Sequence, residues 1–406
     1  MRSVPLRRAT VIVAAVAAAL GLQFAAVPSA HGATAPTGDV RSAPADTAIP
    51  GKWLVVLKNG EVSKKNTASA ARELTESADG TLGRVYREAL RGFSAKLSKA
   101  EAARLARDPR VDYVEQDQVM RVADTQNNAT WGLDRVDQRD LPLSSTYTYN
   151  STASNVTAYI IDTGIRTAHG EFGGRATVGT DTVGGGQNGQ DCQGHGTHVA
   201  GTVGGQTYGV AKAAKLVAVR VLDCNGSGST SGVVAGIDWV TANAAKPAVA
   251  NMSLGGGAST TLDNAVKRSI AAGITYAIAA GNGNIFGWPQ NACNTSPARV
   301  PEAVTVGATD RNDRRASWSN YGTCLDLFAP GVSITSAWKD SNTATNTISG
   351  TSMATPHTAG VAALYLATHA GATPAQVRDA LVNGSTPNKV QDPRTGSPNR
   401  LLYSLL

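Results

Sequence analysis

Val156-Thr157-Ala158-Tyr159-Ile160-Ile161-Asp162-Thr163-Gly164 is a largely apolar, β-branched run that ends on an acid and a glycine. It does not alternate polar with apolar residues, so it predicts a strand buried on both faces, the pattern of a parallel sheet. Runs of the same kind recur at Lys215–Val221, Ala248–Met252, Thr275–Ala279 and Ala303–Val306. Between them lie helical patterns at His195–Gly204, Ser231–Ala244 and Leu262–Ala272. A last apolar, uncharged stretch from Thr351 to Ala370 predicts a buried helix, with Pro356 tolerated near its first turn. Strand and helix in alternation define an α/β fold, a doubly wound, mostly parallel sheet with helices on both faces, over residues 124–406.

Sites in such folds gather at the carboxyl ends of strands. Asp162 occupies such an end, and Gly194-His195-Gly196-Thr197-His198 starts a helix. Gly350-Thr351-Ser352-Met353-Ala354 runs a glycine turn into the last helix, beside its unpaired N–H groups and positive dipole end. Each has an ordinary reading on its own. The acid reads as a turn residue, the histidine as structural, and Ser352 as an N-cap. Together they supply a carboxylate to orient an imidazole, and an imidazole to take a serine proton. Ala280-Gly281-Asn282-Gly283, which alone reads as a turn, follows another strand. Gly226-Ser227-Gly228 and Ser253-Leu254-Gly255-Gly256 offer Gly-rich edges on which an extended peptide could add as a strand. His198 and His357 read as packed structural histidines.

With these motifs together, the chain resembles the subtilisin-like serine proteases, nearest their proteinase K and aqualysin branch, from Ile49 to Leu406. The resemblance implies a subtilisin-like fold in which Asp162, His195 and Ser352 are catalytic and Asn282 donates to the oxyanion. It implies that Gly226, Ser227, Gly228, Ser253, Leu254, Gly255, Gly256, Ala280 and Gly281 line the substrate. Residues 49–121 resemble the family's inhibitory propeptide, a small α+β, ferredoxin-like domain. Structural calcium is implied at Pro301, Ala303 and Asp326, and at a second site built on Asp134, Asp137 and Gln138. For the latter two acids the plain alternative is a surface pair one helical turn apart. No organic cofactor is expected.

The N-terminal part carries its own signals. Arg2, Arg7 and Arg8 precede an apolar run from Val11 to Val27, and small residues near Ala30 and Ala33–Ala35 suit cleavage. Residues 1–35 therefore read as a secretory signal, and the protein as an exported one. A polar linker follows, then strands at Trp53–Leu57, Gly92–Leu97 and Val111–Val114. Ser98 and Glu101 form a capping-box signature for a helix that Pro109 stops. The propeptide is expected over 36–123, with self-cleavage near Val122–Thr125.

The net charge of +7 sits mostly in this removable part, because residues 125–406 hold 19 Lys/Arg against 17 Asp/Glu. With no dense basic stripe, nucleic acid is not an expected partner. The expected partners are protein and peptide substrates and the chain's own propeptide, around a monomer without stable membrane association. Arg311, Asp313, Arg314 and Arg315 read as a solvated mixed-charge loop. Four cysteines in an exported chain favour disulfides, with three possible pairings. Cys192–Cys224 with Cys293–Cys324 is preferred, because each bridge would tie neighbouring parts of one framework. It is also the pairing that the resemblance implies. No acid stands beside the peptide-binding motifs, so cleavage after apolar or aromatic residues is expected.

Overall fold

The computed structural model describes residues 39–43, 48–118 and 124–406. The expected signal sequence, and part of the expected maturation segment, lie outside them. Of the described residues, one compact unit holds 39–40 and 55–114, and the other holds 41–43, 48–54, 115–118 and 124–406.

The N-terminal sheet has five strands in the spatial order Val40–Arg41, Val111–Gln118, Ala48–Leu57, Gly92–Lys96, Thr81–Tyr86. Omitting the first, short strand, the chain runs strand, helix, strand, strand, helix, strand, which is a ferredoxin-like order. The Ser98–Glu101 capping box is formed, with reciprocal bonds of 3.2 and 2.6 Å that start the helix Lys99–Leu105. The helix Thr67–Ser77 and the strand Thr81–Tyr86 are additions to the sequence reading. That helix buries only Thr67, Ala70, Ala71, Leu74 and Thr75, and its residue types are too small and polar to mark an apolar stripe.

In the larger unit, nine strands form one sheet. Their order is Thr386–Pro387, Arg400–Leu401, Leu327–Pro330, Val304–Thr309, Thr275–Ala279, Ala248–Met252, Thr157–Asp162, Lys215–Arg220, Ala176–Asp181. From Leu327–Pro330 to Ala176–Asp181 the pairings are parallel. The strand Thr157–Asp162 is buried at every position, which is why it could not alternate. Its side chains still divide between two cores. Ala158 and Ile160 face the helices His195–Gly204 and Thr351–Thr368, while Tyr159 and Ile161 face Thr230–Asn243 and Thr260–Ala271. The period of two along a strand sends neighbours to opposite faces, so both faces demand apolar residues.

Two buried ion pairs brace this unit. Arg220, 2% exposed, holds Asp181 at 2.9 Å and reaches the sulfurs of Cys192 and Cys224. Arg135 binds Asp313 through two bonds of 2.6 and 3.0 Å. Asp313 and Arg315 are buried while Arg311 and Arg314 are exposed, so only half of the charged cluster at 311–315 is solvated as expected. Arg315 donates to the carbonyls of Ala316, Ser317 and Ser319, and such saturation of a guanidinium compensates its burial. Disulfides join Cys192 to Cys224 and Cys293 to Cys324.

Candidate active site

Three neighbouring strands of the sheet end at one edge. Asp162 closes the strand Thr157–Asp162, Ser253 follows Ala248–Met252, and Ala280 follows Thr275–Ala279. Asp162 is fully buried. Its Oδ1 accepts from the Thr163 backbone N–H at 2.7 Å and lies 2.8 Å from His195 Nδ1. Its Oδ2 is buried with no hydrogen-bond partner. A carboxylate so placed fixes the imidazole, with Nδ1 as donor and Nε2 directed away. Burial lowers the His195 pKa. The charge and hydrogen bond of Asp162 outweigh this, Asp191 adds to them, and the net shift is upward from the ordinary 6.5.

His195 is the first residue of its helix, and two glycines set that geometry. Gly194 has φ +112°, and a Cβ there would lie 2.5 Å from the Trp338 ring. At Gly196 a Cβ would lie 2.1 Å from the Gly164 carbonyl, so only glycine lets the helix start approach the turn after Asp162. Asp191, absent from the sequence reading, ties the same two pieces together. It accepts from Thr163 Oγ1 on one side and from the N–H groups of Gln193, Gly194 and Thr197 on the other. Only its position between two motifs could have marked it.

Ser352 is the second residue of the helix Thr351–Thr368, and Gly350 is the cap, so the capping role does not fall to the serine. The Ser352 N–H belongs to the first turn, whose donors have no partner within the helix. Its hydroxyl donates to the Ser253 carbonyl at 3.0 Å rather than to His195. Pro356 has no N–H to give to the Ser352 carbonyl four residues before it. The Ser253 hydroxyl takes that carbonyl at 2.8 Å, and Asn251 Nδ2 donates to the same hydroxyl at 2.8 Å. The proline and this buried relay together hold the backbone of Ser352. A proline inside an apolar helix was the available signal for the relay.

Asn282 is exposed at the rim. Its Oδ1 accepts from both the N–H and the hydroxyl of Thr351, each at 2.8 Å. The backbone N–H can only donate, so the atom facing it is the oxygen, and the amide nitrogen is turned the other way. The structure thus orients a side-chain N–H₂ beside the helix start that carries Ser352. Gly281 N–H bonds Thr351 Oγ1 at 3.1 Å, and Asn320 Nδ2 holds the Ala280 carbonyl at 2.8 Å. His195, Gly226, Ser227, Gly228 and the segment Ser253–Gly257 line one open cleft of about 540 Å³.

His198 and His357 stand apart from this chemistry. Burial pushes both down to about 4, and each bonds a backbone carbonyl, Ile334 and Met353 respectively.

The residues implied for calcium differ in what they present. Asp134 is buried, not a surface acid, and accepts from Ser144 and Ser145. Asp137 Oδ2 takes the Thr148 N–H at 2.5 Å, while its Oδ1 is buried without a donor. Burial pushes Asp137 up to about 6, with the Asp134 charge adding to the rise against the Thr148 bond. An unpartnered buried carboxylate oxygen beside a second acid fits a hard cation. Gln138 instead gives its amide N–H₂ to the Asp140 and Pro142 carbonyls. Asp326 is ion-paired, although burial still holds its carboxyl above the ordinary carboxylate value. Arg378 lies 2.5 Å from its Oδ1, and the Thr305 N–H 2.7 Å from its Oδ2. Both of its oxygens are thus partnered, as are both oxygens of Asp134. Among the described residues no group of three or more His, Cys, Asp or Glu is gathered as a metal site.

Residues 153–400 match the model of the subtilase family, and residues 52–123 that of the peptidase inhibitor I9 family. An extracellular serine proteinase of Thermus sp. (strain Rt41A) is 55% identical over 398 residues, spanning 93% of this chain and 96% of the relative. A cuticle-degrading serine protease of Arthrobotrys oligospora is 45% identical over 391 residues, covering 91% of this chain and 94% of that protein. The crystal structure of a cold-adapted subtilisin-like serine proteinase matches with 57% identity and a TM-score of 0.66, over 69% of this chain and all of the other.

Proposed function

This chain belongs to the subtilase family and is a serine proteinase with an I9-type inhibitor segment, and on that premise we propose that Asp162, His195 and Ser352 are its catalytic triad. The observation that carries the assignment is the buried Asp162–His195 bond of 2.8 Å at the strand edge where Ser253 holds Ser352. Ser352 Oγ leaves the Ser253 carbonyl and bonds the substrate carbonyl carbon, while its proton passes to His195 Nε2. As the C–N bond breaks, the leaving amine takes that proton. Water, deprotonated by the same imidazole, then releases the acyl group and restores the serine. A loose nucleophile–base contact before substrate binds is usual for such sites. Labelling with a fluorophosphonate tests the assignment. Ser352 is the expected point of modification, and a folded mature enzyme labelled elsewhere, or not at all, refutes it.

The oxyanion would sit between Asn282 Nδ2 and the Ser352 N–H. Asn282→Ala is expected to lower kcat about 10²–10³-fold with little change in KM, because the donor serves the transition state. Asn282→Asp keeps the acceptor for Thr351 but replaces the N–H₂ with a charged oxygen, so it should fall at least as far. Steady-state kinetics on a peptide anilide reads both.

Extended polypeptides are the proposed substrates, seated along Gly226–Gly228, Ser253–Gly256 and Ala280–Gly281, with broad specificity and apolar or aromatic residues preferred before the cut. The uncharged cleft wall at 253–257 supports that preference. We place the signal sequence at 1–35, the propeptide at 36–123 and the enzyme at 124–406, exported and matured by its own cleavage. Among the described residues no helix is long and apolar enough to cross a membrane.

Calcium, when bound, would supply cross-linking charge near the start of the mature chain, held by Asp134 and Asp137. Adding calcium at about a hundredfold over its Kd to chelator-treated mature enzyme should add about 2.7 kcal/mol, a rise in Tm of roughly 5–10 °C. Asp137→Asn should abolish most of that rise in differential scanning calorimetry. An equal rise in the variant would remove Asp137 from the site.

A further inference from the structure

One residue beyond Asn282 begins an apolar, exposed loop. Ile285, Phe286 and Trp288 are 93, 76 and 67% exposed, whereas among the described residues the next large apolar side chain, Leu90, is 43% exposed. The loop is held, so this exposure is built in. Asn320 Oδ1 accepts from Gly283 N at 3.1 Å and Gln290 N at 2.7 Å, closing its base. Within it, Asn284 Oδ1 accepts from Phe286 N and Trp288 N, and the Trp288 carbonyl accepts from Asn284 N. Cys293–Cys324 fastens the chain just beyond. Three large side chains are thereby presented to water at a solvation cost that a passive loop has no reason to bear.

We propose that Ile285, Phe286 and Trp288 form an accessory docking surface for apolar stretches of the substrate polypeptide, outside the cleft. Position and charge decide the occupant. The loop is continuous with the Ala280–Asn282 edge, and four residues from Asn282 to Phe286 span at most about 14 Å. A polypeptide in the cleft therefore passes within reach of it. From Gly273 to Ala298 the chain has no Asp, Glu, Lys or Arg, so the loop itself offers an anionic membrane no cationic partner. An uncharged, apolar, poorly soluble protein does find matching surface. The effect is a higher local concentration of such substrates at the site, gained by linking two contacts on one chain.

This surface rests on the proposed cleavage site, and the test separates the two. Mature enzyme blocked with fluorophosphonate is measured for adsorption to insoluble elastin, and unblocked enzyme for elastin release and for turnover of a soluble tetrapeptide anilide. The triple variant Ile285→Ser, Phe286→Ser, Trp288→Ser is expected to keep tetrapeptide kcat/KM within about twofold. Its adsorption and elastin release should fall at least tenfold, with Phe286→Ser alone showing part of that loss. Unchanged adsorption overturns the proposal. So does an equal loss on the tetrapeptide, which would make the loop only a wall of the cleft. A loss confined to binding of phosphatidylcholine vesicles also overturns it, in favour of lipid. Absence of tetrapeptide turnover in the unsubstituted enzyme would instead sink the cleavage site itself.

Discussion

Ser352→Ala is expected to lower kcat about 10⁶-fold, roughly 8 kcal/mol of transition-state stabilisation, with KM little changed. The loss is this large because the hydroxyl is the only group that forms the covalent bond; the anion site and the peptide-binding edges are left intact. Residual activity over water should persist through Asn282 and the Ser352-position N–H, which the alanine retains. The substitution removes the hydroxyl that donates to the Ser253 carbonyl but leaves the Ser253 hydroxyl on the carbonyl of residue 352, so folding should survive. The same variant should accumulate as the uncut precursor, visible as a larger band that cleavage by added wild-type enzyme converts. A Ser352→Ala chain that still processes itself would show that another group, or another protease, cuts the maturation bond.

Asp162→Asn comes second, at about 10⁴-fold in kcat. An amide at this position can turn its N–H₂ toward Nδ1, which forces the imidazole into the tautomer with its proton on Nε2. That tautomer cannot accept from Ser352. The pH profile gives an independent reading. In the wild type, kcat/KM requires neutral His195, so activity is present above its pKa and lost as the pH falls through it. The acid limb should lie above the ordinary 6.5, because the charge and hydrogen bond of Asp162 overcome burial and favour the imidazolium. Removing that charge leaves burial unopposed by its main adversary, and the limb should move to lower pH. An acid limb that stays in place in Asp162→Asn would assign it to a different group.

Much of the fold was legible because buried strands and helices carry their burial in their composition. Ala248–Met252 and Thr275–Ala279 form over the bounds that their apolar runs predict. The helix His195–Gly204 does the same from its glycine-flanked histidine. Elements whose burial is partial left weaker traces. The strand Ala176–Asp181 is an edge of the sheet with half-exposed positions, and the helix Pro374–Gly384 buries only Val377 and Leu381. Thr373 and Gln376 do cap that helix reciprocally, a signature present in the sequence but without an apolar run to follow it. Charges misled in one place. Asp313 and Arg315 have the composition of a surface loop, and only their partners, Arg135 and the carbonyls around Ser319, make burial affordable.

The sequence by itself determined the class of sheet, the three motif residues at its edge, and the export and inhibitor segments as expectations. These follow from composition, period and short spacing, which act over a few residues at a time. Tertiary structure alone decided the supports. Asp191 joins pieces 28 residues apart, Thr351 turns Asn282 across a gap of 69, and Ser253 meets the carbonyl of Ser352 across 99. It also gave Asp326 a guanidinium partner and left an oxygen of Asp137 bare. Such relations depend on which buried donor meets which acceptor after the chain has closed, and no local pattern encodes a partner that distant.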